Sequence, residues 1–133
     1  MIRCIAQYLE NQTSLVVGTT LYVGHRPNDA AANCVTLLER VPGKANPMTP
    51  SQIQKPIQLL TRNEGYTAGR AAAMAAYNAL FGRDNAGYTL PELTSGETWF
   101  VNIATGTEPA FIGRGPDGLF EFSCNLVLKI SAI

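Results

Sequence analysis

The stretch Leu119 to Ile130 constrains this chain more than any other. Reading every second residue gives Phe120, Phe122, Cys124, Leu126, Leu128 and Ile130, all apolar. Between them stand Glu121, Ser123, Asn125 and Lys129, with Val127 the one interior exception. A period of two sends alternate side chains to opposite faces, so the stretch predicts a long β-strand buried on one side. Six such side chains, at roughly 1.5–3 kcal/mol each, supply on the order of 10 kcal/mol, comparable to the net stability of a small domain. A slip of one residue would turn the whole row to water, which fixes the register.

Gly115-Pro116-Asp117-Gly118 precedes it. Pro116 pre-sets φ at the first corner of a turn, Asp117 suits the second, and Gly118 takes the positive-φ place beyond. With Ala110 to Arg114 upstream, the segment predicts a hairpin. Gly113, Gly115 and Gly118 also spell G-x-G-x-x-G, but a dinucleotide loop joins a strand to a helix, and this one joins two strands.

The rest of the chain is laid against that strand. Ile2, Ile5, Ala6 and Leu9 recur at helical spacing and predict a short amphipathic helix ending near Asn11. Thr19 to Val23 and Cys34 to Glu39 read as strands, separated by a turn over Gly24 to Asp29. Arg40 to Pro56 carries Pro42, Gly43, Pro47, Pro50 and Pro56 and shows no period. It reads as irregular, either a loose excursion or an arm that orders on a neighbouring subunit. Ile57 to Arg62 reads as a strand, and Asn63-Glu64-Gly65 as the break before a helix from Tyr66 to Phe81, closed by Gly82. On that helix Tyr66, Ala73, Tyr77, Leu80 and Phe81 form a bulky arc for the core, into which Arg70 intrudes. Ala68, Ala72, Ala75 and Ala79 form a smooth strip, either a packing surface or a solvent-facing run. Residues 82–97 read as a second irregular segment. Thr98 to Ala104 reads as a strand with Trp99, Val101 and Ile103 on one face and Phe100 and Asn102 on the other. An aromatic such as Phe100 on a polar face is either a covered residue or an interface anchor.

The fold class expected is α+β: a mixed, largely antiparallel sheet with two helices packed on one face. At 133 residues the chain is expected to form a single domain over 1–133. Ten basic and ten acidic residues cancel, so no basic field favours nucleic acid or an anionic membrane. A near-neutral chain with only 15% charged residues is weakly protected against self-association.

The residues give little reason to expect catalysis. Cys4, Cys34 and Cys124 are scattered and odd in number, without the spacing of a disulfide framework or a metal site. His25 is the lone histidine, no G-x-S-x-G surrounds a serine, and the ten carboxylates form no close acid–base pair. A phosphate-cradling G-x-x-x-x-G-K-[ST] is absent from the sequence. Asn11-Gln12-Thr13 fits a glycosylation sequon by chance, since the segment from Met1 to Ile5 lacks the character of a signal peptide and no run reaches membrane-spanning length. The expectation is a non-enzymatic chain without cofactor or metal that works by associating, made in the cytoplasm.

Several stretches together resemble the minor capsid and tail-terminator family of long-tailed bacteriophages. Those proteins tend to end in "IGRD-x-x-G-x-x-EFS-x-N". Here Ile112-Gly113-Arg114, Gly118, Glu121-Phe122-Ser123 and Asn125 stand in those positions, with Gly115 where an aspartate is common. Ile57 to Asn63, followed by Tyr66, resembles the family's strand-to-helix junction. Leu21-Tyr22-Val23-Gly24 with Pro27, and Asn33-Cys34-Val35, resemble its early strands. The resemblance implies a virion protein of the tail and neck, assembled in the host cytoplasm. It would cap the tail tube as a homo-oligomeric ring, typically of six subunits, that stops growth on the tube protein and meets a head-neck connector. The genome would pass through the ring's channel without sequence-specific binding. Arg62, Arg114, Phe100 and Asp117, with the two irregular segments, are the candidate contacts under this reading, surface charge being the plainer role for the arginines. A head-completion or adaptor protein of the neck is the neighbouring alternative, and a small-molecule-binding module the remoter one.

Overall fold

A computed structural model describes residues 1–40, 44–46, 49–81 and 87–132; of the side chains at 44–46, 49–51 and 103 nothing is said. The elements in order are α1 (Ile2–Gln12), β1 (Leu21–Val23), β2 (Cys34–Glu39), β3 (Lys44–Asn46), β4 (Thr49–Asn63), α2 (Tyr66–Phe81), β5 (Tyr88–Thr89), β6 (Trp99–Gly106), β7 (Ala110–Arg114) and β8 (Phe120–Ala132). The eight strands form one sheet in the order β1-β2-β4-β8-β6-β5, with β3 alongside β4 and β7 alongside β8. All pairs are antiparallel except β1 with β2. The α+β class with a mixed, mostly antiparallel sheet is therefore observed.

The period-two row is the spine of the sheet. β8 pairs with β4 from Asn63↔Phe120 to Gln52↔Ser131. On its other side β7 covers its first residues and β6 its last ones. Phe122, Cys124, Leu126, Leu128 and Ile130 are all buried. Ile57 and Leu59 of β4, Val35 and Leu37 of β2, and Cys4, Ile5, Ala6 and Leu9 of α1 join most of that row in one core with Ala76 and Leu80 of α2. Both helices thus cover the same face. The opposite face carries Leu60, Arg62, Glu121 and Ser123. Because β1 and β2 run parallel, the chain between them must cross over, and residues 24–33 do so above that second face.

Four expectations are corrected. The segment Arg40 to Pro56 is not irregular at 44–46 or 49–56, where β3 and the first half of β4 lie; 41–43 and 47–48 fall outside the described residues. Pro56 is accepted within this strand because it lies one residue beyond the end of the β2 ladder at Glu39↔Ile57, so its missing N–H breaks no bond of that ladder. The Pro56 carbonyl still accepts from Arg40 N–H at 3.4 Å.

The second correction concerns α2. Of the expected arc, Ala73 and Leu80 are buried and Tyr77 and Phe81 pack against the core, but Tyr66 is exposed and the buried line also takes in Gly69 and Ala76; of the alanine strip, Ala68 and Ala75 face outward while Ala72 and Ala79 are half-buried. The helix lies so close to the sheet that a Cβ on Gly69 would stand 2.7 Å from Phe122 Cε1 and 2.9 Å from Asn63 Cβ. Small residues therefore make the close-approach face, and Arg70 escapes to solvent. The end expected at Gly82 lies outside the described residues.

Third, residues 82–97 are not wholly irregular, since Tyr88–Thr89 forms β5 against Val101 and Phe100; 82–86 lie outside the described residues. Fourth, a bulge between Val101 and Ile103 breaks the alternation of β6, so Ala104, not Ile103, stands opposite Leu128.

Candidate subunit interface

The turn before β8 forms as its residues dictate. Gly118 N–H donates to Gly115 O at 2.9 Å, Gly115 N–H donates to Leu119 O at 3.0 Å, and Gly118 has φ +80°. Asp117 Oδ1 accepts Leu119 N–H at 3.1 Å, which closes an Asx turn and leaves Oδ2 free to face Arg62.

Arg62 is buried, at 9% exposure. Its Nη2 donates to the carbonyls of Ala31 at 2.8 Å and Ala30 at 3.2 Å, and its Nη1 reaches Asp117 Oδ2 at 3.4 Å. Its Nε is buried without a partner among the described residues. The guanidinium therefore ties the crossover segment and the hairpin tip to the sheet. Arg114 projects outward instead. Its Nε donates to Gly118 O at 2.9 Å, and its guanidinium carbon lies 4.7 Å from the centre of the Phe120 ring, a cation–π contact.

Around the hairpin the aromatics gather. Tyr66, at the start of α2, lies 5.3 Å from Phe111, 6.0 Å from Phe120 and 5.4 Å from Phe122 between ring centres. Phe111 is 43% exposed and Ile112 is 56% exposed. Phe111 faces the helix side, while Ile112 lines the opposite face with Leu60 and Glu121. Strand alternation sends these neighbours to opposite faces, and a bulge between Phe111 and Gly113 then shifts the register against β8.

Three of the four sequence candidates, Arg62, Asp117 and Arg114, thus meet at one end of the sheet. Phe100 does not. It lies half-buried at the other end, opposite Ser131. Sequence reading missed Tyr66, Phe111 and Ile112 as surface residues. The adjacent pair Phe111-Ile112, apolar on both faces of a hairpin strand, was the available signal. His25 is exposed near the crossover, and the three cysteines are free and buried. Among the described residues no three of the His, Cys, Asp and Glu side chains come together as a metal site would require. Cys124 donates its S–H to Thr107 O at 3.3 Å, and burial pushes its thiol up to about 11.

The chain is thus a broad sheet clothed on one face by helices, with charge held against backbone and rings and apolar residues exposed on an edge strand. The family model for bacteriophage tail terminator protein matches residues 8–132, and the chain belongs to that family. Membership places it among structural proteins of the phage tail and points away from catalysis. No individual curated protein matches the chain. No helix among the described residues is long and apolar enough to cross a membrane.

Proposed function

We propose that this chain, folded as a single domain, closes into a ring, of six copies by the family resemblance, that caps the finished tail tube. One ring face stacks on the last ring of tube protein and ends its growth, and the other receives the head-neck connector. The genome passes through the channel unread, in keeping with a chain that has no net charge. Assembly takes place in the host cytoplasm and the product resides at the neck of the virion. The mechanism is one of shape, and no substrate is transformed.

The observation that carries this reading is the family match over nearly the whole chain, joined to an edge strand that displays large apolar side chains. Arg114 and Asp117 at the hairpin, and Phe100 at the far end of β8, are the candidate contacts with neighbouring subunits, tube or head. Electron microscopy of particles lacking this protein tests it. Tails of unregulated length, or tails that are unsealed, are expected. Normal free tails beside empty heads would move the protein to the head side of the neck.

A further inference from the structure

The exposed large apolar side chains among the described residues fall in two places. Tyr66, Phe111 and Ile112 stand along β7 and the start of α2. Val16, Val17 and Leu93 stand near β1, where Val17 makes a bridge to Leu21. Val17 and Leu93 line a groove of about 410 Å³ with Arg3, Ala6, Tyr22 and Val23. The two patches lie at opposite lateral edges, since β7 flanks β8 on the side away from β4 and β1 ends the sheet beyond β2.

The patches differ in form. β7 is a ridge, an edge strand with Phe111 on one face and Ile112 on the other, whereas the β1 side is hollow. Edge strands of solitary proteins are ordinarily guarded by charge, and here Phe111 and Ile112 stand exposed with Arg114 the one charge on the strand. Charge is complementary too. Exposed Glu108 adjoins the ridge and exposed Arg3 lines the groove, and neither forms an ion pair among the described residues.

We infer that the β7 ridge of one copy seats in the Val17–Leu93 groove of the next, with Glu108 facing Arg3. This rests on the ring reading and says which surfaces make the ring. Ridge and groove are different surfaces on opposite edges, so the contact is head-to-tail, the kind that closes into a ring when the rotation from copy to copy divides the circle evenly.

Cysteine cross-linking tests the pairing, because Cys4, Cys34 and Cys124 are buried. Ile112→Cys and Val17→Cys proteins, each folded by circular dichroism, are mixed and treated with a short bis-maleimide. The mixture is expected to give a covalent dimer, while each variant alone gives none. Ile112→Asp and Leu93→Asp, both at exposed positions, are expected to raise the concentration needed for association roughly tenfold or more. A dimer from Ile112→Cys alone would mean a two-fold contact and overturn the inference. Rings seen by native mass spectrometry in the mixture without cross-linking, and unchanged by the aspartates, would overturn it and leave the ring standing. A wild-type chain that stays monomeric at every concentration, alone and with tube protein, would overturn both.

Discussion

Arg62 Nη1 and Asp117 Oδ2, 55 residues apart in the chain, lie 3.4 Å from one another at the hairpin tip. The two ends of this contact differ in burial. The Arg62 side chain is 10% exposed and also holds two backbone carbonyls, whereas Asp117 is 44% exposed.

Removing the arginine therefore does more than removing the acid. Arg62→Met strips charged hydrogen bonds from Ala30 and Ala31 and is expected to lower stability by on the order of 3 kcal/mol. Asp117→Asn weakens only a half-exposed pair and is expected to lose less than about 1 kcal/mol. Urea unfolding of the two variants checks the ranking, and equal losses would show that the crossover segment is not anchored by Arg62.

Alanine normally strengthens a helix relative to glycine, by about 1 kcal/mol. At Gly69 the sign reverses, because the new methyl group would press on Phe122 and Asn63. Gly69→Ala is expected to destabilise by about 1–3 kcal/mol. On the outward side of the same helix, Ala75→Gly is expected to lose roughly 0.5–1 kcal/mol. Thermal melts of both proteins decide the matter.

Neighbours along β8 should behave oppositely. Leu128 is fully buried against Lys55 and Ala104 of the flanking strands, while Lys129 is exposed. Leu128→Ala is expected to lose about 2–5 kcal/mol. Lys129→Ala should stay within about 0.5 kcal/mol of the parent. Denaturant midpoints measured under one buffer suffice.

Alkali should weaken the fold through Cys124. Its thiol is raised from 9.0 to about 11 by burial, so the folded chain keeps a proton that the unfolded chain gives up. The associated stability is present in full below pH 9 and is lost as the pH rises towards 11. The Tyr88 hydroxyl, raised by burial and bonded to Leu80 O at 2.6 Å, acts in the same direction at still higher pH. Unfolding measured between pH 7.5 and roughly 10.5 should show the decline, and Cys124→Ala should flatten it.

Much of this was legible in the residues. The period of two in Leu119 to Ile130 fixed a strand and its buried side, Pro116-Asp117-Gly118 fixed a turn, and α2 runs from Tyr66 to Phe81 as its pattern predicts. Cys34 to Glu39 likewise forms β2. These follow from local chemistry, since φ preferences and side-chain alternation are set within a few residues.

What the tertiary structure alone decided depends on the neighbours. Pro56 is tolerated in a central strand because the ladder of β2 against β4 ends one residue short of it, at Ile57. Gly69 and Ala76 joined the inner face of α2, and at Gly69 the sheet comes so close through Phe122 that no side chain fits, an effect that no helical wheel contains. Arg62 looks like a surface charge in sequence, yet it is buried because the crossover offers it two carbonyls and the hairpin a carboxylate. Period and turn chemistry are properties of a short segment. Burial, close approach and the fate of a charge belong to pairs of segments distant in sequence, and only folding brings those together.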